Sequence, residues 1–116
     1  MIFTRTDPIV AQLRGLGIKD DAAKRLVAAG TPLELPSGVD LCVEGARGEE
    51  AFLLLAGHAV VKLPSGTVRL GAGDVVGELA ALDPLARRNA TVTTDGPATV
   101  LVFDVRSFRS LADGEL

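Results

Sequence analysis

Sulfur and imidazole are scarce in this chain of 116 residues, which holds one cysteine, Cys42, and one histidine, His58. A single thiol excludes an internal disulfide and leaves too few sulfur ligands for a cysteine zinc site. Cys42 sits in an apolar run and reads as a buried, inert thiol. His58 follows Gly57 in a predicted turn with no second His or Cys nearby, so it reads as an exposed turn residue and is assigned no role. Long apolar runs are missing too. No stretch of eighteen apolar residues occurs, and residues 1–8 carry Arg5 and Asp7, so neither a membrane-spanning helix nor an export signal is indicated; the expected location is the cytoplasm. The Asn89-Ala90-Thr91 triplet fits a glycosylation acceptor, but without an export signal it is a coincidence. Basic charge is neither in excess nor clustered. Twelve Lys and Arg stand against fifteen Asp and Glu, for a net charge of −3. Scattered cations of this kind do not form a nucleic-acid surface, so any bound anion must be held by local geometry. The length suits one domain, 1–116, and is short for an attached DNA-binding or catalytic domain.

Two kinds of pattern fill the chain. Residues 7–29 predict two short helices. The first runs over 8–13 with Asp7 as its N-cap, and the second over 22–28 after Asp20 and Asp21, with Gly15 and Gly30 punctuating their ends. Ile9, Leu13 and Leu16 share one face, and Ala22, Leu26 and Ala29 another, so each helix can lay an apolar stripe on a common body. From Thr31 onward the pattern becomes short β-prone runs: 33–35, 39–43, 51–55, 59–63, 67–70, 90–94 and 98–103. Turn residues separate them at Pro36-Ser37-Gly38, Ala56-Gly57-His58, Pro64-Ser65-Gly66 and Asp95-Gly96-Pro97. Several short, closely spaced strands predict an antiparallel sandwich or barrel. Phe52 and the leucines after it have strand spacing and read as core. Asp104 can cap a last helix over 105–112, with Phe108 and Leu111 on one side. No internal repeat or low-complexity linker is present.

The stretch 73–92 departs from what a plain folded domain needs. Gly77 removes a side chain immediately before Glu78-Leu79-Ala80-Ala81-Leu82, a short run of good helix formers. An open helix start presents free backbone N–H groups backed by the positive end of the helix dipole, which suits a phosphate-sized anion. Arg88 stands ten residues after Glu78, beyond a loop carrying Pro84, and its planar fork of donors suits phosphate oxygens. Glu78 cannot hold a phosphate, but it can accept a hydrogen bond from a neighbouring sugar hydroxyl. An anion cradle, a cation and a hydroxyl acceptor together point to a nucleotide. Plainer readings exist: Glu78 as a carboxylate stabilising a first helical turn, and Arg88 as a solvated neighbour of Arg87.

These residues resemble the phosphate-binding cassette of the cyclic-nucleotide-binding domains found in bacterial transcription regulators of the catabolite-activator type, kinase regulatory subunits and gated channels. The family pattern runs Phe-Gly-Glu-Leu-Ala-Leu, a short loop, then Arg-x-Ala-Thr-Val. Here Gly77-Glu78-Leu79-Ala80 and Arg88-Asn89-Ala90-Thr91-Val92 match it, and Val76 replaces the Phe. Glu44-Gly45-Ala46-Arg47-Gly48 and Leu70-Gly71-Ala72-Gly73-Asp74 resemble the family's turn motifs. The resemblance implies a mainly β fold, an antiparallel double-stranded β-helix or jelly-roll-like β-roll over 31–104. Short helices flank it at 1–30 and 105–116, and one cassette helix is inserted.

It also implies a ligand-binding set of Gly77, Glu78, Leu79, Ala80, Arg88 and Asn89. Glu78 would bind the ribose 2′-hydroxyl, the N–H groups around Leu79 and Ala80 the cyclic phosphate, and Arg88 an equatorial phosphate oxygen. Asn89 would lie beside phosphate or purine. Some guanine-preferring relatives carry Thr or Ser at that place, while Asn can bond either purine or phosphate, which leaves the residue open between the two; the ligand is expected to be cyclic AMP ahead of cyclic GMP. No catalysis, metal or other cofactor is expected. A cupin-like metal site needs two or three His with a carboxylate, and nothing near the cassette supplies an activated nucleophile for hydrolysis. In the family a long helix after the roll covers the purine. Only about a dozen residues follow Phe103 here, so either a partner protein or a second copy of the chain supplies that lid, or the purine stays open to water, or the domain no longer depends on a nucleotide; the 60–73 segment is also shorter than is usual. The expectation is a one-domain regulatory module that senses the ligand without an output domain of its own. The alternative is a ligand-independent protein-interaction module that keeps the fold.

Overall fold

Runs 50–63 and 91–104 are dense in Val, Leu, Ala and Thr, residues that fit a pleated, half-buried surface. In the computed structural model, which describes residues 8–46, 50–77, 90–104 and 106–107, each run is one strand. The elements are α1 (Pro8–Gly15), α2 (Asp20–Ala29), β1 (Thr31–Leu35), β2 (Asp40–Cys42), β3 (Glu50–Leu63), β4 (Gly66–Leu70), β5 (Val75–Val76) and β6 (Thr91–Asp104). Antiparallel β3 and β6 form the central ladder, from Glu50↔Asp104 to Lys62↔Thr91. β1 and β2 pair with β6, while β4 and β5 pair with β3.

Two predicted turns are corrected here. Ala56-Gly57-His58 and Asp95-Gly96-Pro97 are not hairpins that split the strands; they face each other as an irregularity within one ladder. Between Ala56↔Thr99 and His58↔Asp95, β3 advances two positions while β6 passes through four. The extra residues bulge, and the bulge accommodates Pro97, which has no N–H for a ladder bond. Gly57 and Gly96 both take left-handed φ values, 84° and 83°. The irregularity divides the ladder into two halves. One half carries β1 and β5, the other β2 and β4. Phe52, Leu54, Val76, Ala98 and Val100 of the first half share one buried cluster with Leu41, Cys42, Ala59 and Val92 of the second. The two halves therefore close over a common apolar interior, which is the expected β-roll.

The first half of β3 is covered on both faces. Phe52 and Leu54 point into the roll, whereas Leu53 and Leu55 join Leu101 and Phe103 against Val10 and Leu13 of α1 and Ala23 and Val27 of α2. This explains why residues 51–55 are buried without alternation. The helix stripes keep Ile9, Leu13, Leu26 and Ala29 of the predicted residues and add more deeply buried neighbours. Val10 and Leu13 carry α1, Ala23 and Val27 carry α2, and Leu16 is exposed. Leu16 stands out because α1 stops at Gly15. Ile18 N–H donates to Leu13 O and Gly17 N–H to Arg14 O, the pattern of a Schellman stop. α2 starts two residues before the predicted 22–28, so Asp20 and Asp21 lie within its first turn, where they complement the dipole. β5, which the sequence reading did not include, is a two-residue strand. The predicted cap at Asp104 is present: its Oδ1 accepts the Ser107 N–H at 2.7 Å. Asp7 and the rest of the last predicted helix, with Phe108 and Leu111, lie outside the described residues.

Candidate functional site

The cassette is approached through a turn that is locked at both ends. Asp74 Oδ2 accepts the Gly71 N–H at 2.8 Å, and Asp74 N–H returns a bond to Gly71 O at 3.0 Å. The same turn is tied to β3 by Gly73 N–H to Leu54 O at 2.8 Å and Leu54 N–H to Asp74 O at 2.9 Å. Its geometry delivers Val75 and Val76 into register with Leu53 and Phe52. Val76, at the place of the family's Phe, is 3% exposed and packs into the roll interior.

Gly77 follows at φ 83°, a conformation that costs residues with a Cβ about 1–2 kcal/mol. The chain is thus redirected at the position before Glu78, where an anion cradle requires a turn. Of the proposed ligand set, Gly77 is described; Glu78, Leu79, Ala80, Arg88 and Asn89 lie outside the described residues, as do Arg87 and the predicted cassette helix.

On the far side of the cassette, Ala90 and Val92 are buried, and Val92 lies in the same cluster as Val76. Both ends of the 78–89 segment are therefore rooted in one apolar interior. The start of β6 is also held by hydroxyls. Thr91 Oγ1 accepts the Glu44 N–H at 3.0 Å, and Thr93 Oγ1 donates to Asp40 Oδ1 at 2.7 Å. Thr94, the one buried polar residue among those described, donates its hydroxyl to Pro36 O at 2.7 Å and accepts the Val39 N–H at 2.8 Å. The sequence reading gave none of these threonines a role. Three hydroxyls within four positions of an apolar strand are the signal that could have marked them.

The described residues carry little charge chemistry of their own. Their ion pairs, Arg14–Asp20, Lys24–Asp20 and Arg69–Asp95, are solvent-exposed and of the kind that contributes little. No group of three His, Cys, Asp or Glu is placed to hold a metal among the described residues. His58 is exposed and Cys42 buried, as expected. An open hollow of about 370 Å³ at the ladder bulge, beside Glu34, Pro36 and Pro97, contains no residue of the predicted set. No helix among the described residues is long and apolar enough to cross a membrane.

Comparison with known proteins bears on this arrangement. A family model described as cyclic nucleotide-binding domain matches residues 32–115. The Pycsar effector protein PaPycTIR of Pseudomonas aeruginosa is 40% identical over 94 residues, covering 80% of this chain and 30% of that protein. A cyclic nucleotide-gated potassium channel of Rhizobium etli is 33% identical over 89 residues, covering 75% of this chain and 24% of the channel. The chain thus spans less than a third of the length of these two relatives. Among solved structures, PKAR CBD2 with Sp-2Cl-cAMPS bound aligns with a TM-score of 0.78 at 23% identity, covering 94% of this chain and 75% of that one. That likeness shows a shared fold.

Proposed function

The chain belongs to the cyclic nucleotide-binding domain family, and on that premise we propose that it is a regulatory module binding cyclic AMP in preference to cyclic GMP on the cassette at 73–92. Glu78 accepts the ribose 2′-hydroxyl, backbone N–H groups at Leu79 and Ala80 hold the cyclic phosphate, and Arg88 pairs with an equatorial phosphate oxygen. Asn89 lies beside phosphate or purine, where some guanine-preferring relatives carry a hydroxyl. The observation that carries the reading is the left-handed Gly77. It stands at the end of a strand pinned to β3 and directly before the residues that match the cassette. The proposed role is binding without a chemical step, and the proposed setting is the cytoplasm.

Calorimetric titration of the purified chain with cyclic AMP, cyclic GMP and 5′-AMP tests this. Saturable binding in the order cyclic AMP, cyclic GMP, 5′-AMP is expected. Cyclic AMP at a hundred times its Kd should add about 2.7 kcal/mol of stability, a rise of roughly 10 °C in Tm for a domain of this size. No binding and no thermal shift at millimolar nucleotide would leave the ligand-independent interaction module as the reading.

A further inference from the structure

We propose that the Thr91 hydroxyl is a positioning group for nucleotide binding, fixing the start of β6 against the turn that begins at Glu44; the inference rests on the cyclic-nucleotide reading above. On its β3 edge, β6 is held by a ladder that continues to Lys62↔Thr91. On the other edge, pairing with the three-residue β2 slips between Asp40 and Cys42 and ends at Cys42↔Val92. Side-chain hydroxyls extend that edge. Those of Thr94 and Thr93 bond Pro36, Val39 and Asp40 farther along the strand from the cassette. That of Thr91 reaches one residue beyond the ladder to the Glu44 N–H, and in the chain it stands three residues after Arg88 and two after Asn89.

An anchor so near in sequence fixes the start of the strand that follows Arg88 and Asn89. Removing it obliges the ligand to supply the ordering, which appears as lost affinity. Threonine suits the place because its β-branch fits a strand while its oxygen accepts from a backbone N–H. The partner is equally defined. Ala46 N–H donates to Val43 O at 3.1 Å, and Gly45 takes φ 82°, the pattern of a type II turn with Glu44 at its second position. Proline is favoured there and has no N–H. The bond can therefore be cut from either side.

The test is calorimetric cyclic AMP binding by the whole chain carrying Thr91→Val, Thr91→Ser, Glu44→Pro, the Thr91→Val and Glu44→Pro pair, or Thr93→Val. Thr91→Val and Glu44→Pro should each weaken binding about three- to tenfold, the worth of one hydrogen bond. Their combination should lose no more than either alone, because both cut one bond. Thr91→Ser should bind within about twofold of wild type, and Thr93→Val, which loses a hydroxyl from the same edge, should bind as wild type does. Unchanged affinity in both Thr91→Val and Glu44→Pro, additive losses in the pair, or an equal loss in Thr93→Val would overturn the assignment while leaving the nucleotide reading in place. A wild-type chain that binds no cyclic nucleotide would overturn that reading and this one with it. Should Thr91→Val fail to fold, the comparison of Glu44→Pro with Thr93→Val decides the matter.

Discussion

Gly57 and Gly96 share a backbone conformation and differ in their surroundings, so substituting each by alanine separates the cost of the conformation from the cost of the close approach. Their φ values are 84° and 83°. A methyl at Gly96 meets nothing within 4 Å, whereas one at Gly57 would lie 2.3 Å from Pro97 O and 2.8 Å from the Ala98 Cα. Both of those atoms are backbone of β6, so no side chain can rotate away to make room. For Gly96→Ala the left-handed conformation alone should cost about 1–2 kcal/mol. For Gly57→Ala the strand must also move by roughly 1 Å at the centre of the ladder, and overpacking of this kind adds about 1–3 kcal/mol, for a total of roughly 2–5. At ~2.1 cal/mol/K per residue, a chain of 116 residues loses roughly 4 °C of Tm per kcal/mol. Gly96→Ala should then melt ~4–8 °C lower and Gly57→Ala ~8–20 °C lower, with urea midpoints moving in the same order. Equal losses from the two variants, or a milder one from Gly57→Ala, would show that the strands do not approach closely at the bulge.

Thr94→Val should destabilise by about 1–3 kcal/mol in urea unfolding, because it leaves Val39 N–H and Pro36 O without the hydroxyl each now bonds, while Thr94→Ser should keep most of the stability. The Asp104 carboxylate is held below its ordinary value of 3.8, chiefly by the Ser107 backbone N–H. Its ionised form therefore stabilises the fold fully above that value and loses its effect as pH falls through the lowered one. The stability difference between wild type and Asp104→Asn should accordingly be constant near neutrality and narrow below about pH 4. For the proposed site, Arg88→Ala should cost ~2–4 kcal/mol of nucleotide binding, roughly 30- to 1,000-fold in Kd, and Arg87→Ala little. Equal losses from the two arginine variants would point to a diffuse basic patch instead of one aimed guanidinium.

Strand content, antiparallel pairing and the helices before the sheet were legible because they rest on local composition and periodicity. What was misread had a partner far away in the chain. Gly57 and Gly96 carry the same conformational signal in a bulge as in a hairpin, since both need a positive φ. The difference lies in whether the opposite strand has a matching irregularity, and a local window does not contain that strand. The helix faces were legible in part: Ile9, Leu13, Leu26 and Ala29 do pack against the ladder, but the deeply buried Val10, Ala23 and Val27 were missed. Leu13 belongs to a stripe with Ile9 and Leu16 and equally to one with Val10, and the choice is made by where Leu53 and Leu101 of the ladder present a surface. β5 is two residues long and rests on its register with Phe52 and Leu53, so no run of its own announced it.

The site shows the same division at finer scale. The ligand groups assigned to 77–89 are contiguous and chemically unusual, so Gly77, Glu78 and Arg88 could be picked out from order and spacing. The bond that ties their framework together was not legible, although both of its residues lie in stretches that resemble the family. Thr91 and Glu44 lie 47 positions apart, and the Glu44 side of the bond is a backbone N–H that every residue but proline has, so nothing in the residue type marks it. A threonine in a strand is already explained by its β-branch, which hides the hydroxyl's second use. On the proposed reading, a cassette motif names the atoms that would meet a ligand without naming those that aim them. Residues 73–92 placed in another roll would bring Arg88 and Thr91 along and leave behind the donor at Glu44. On that reading, affinity depends on two segments far apart in the chain, the cassette and the 36–46 segment alongside β6, which are joined by the bond between Thr91 and Glu44.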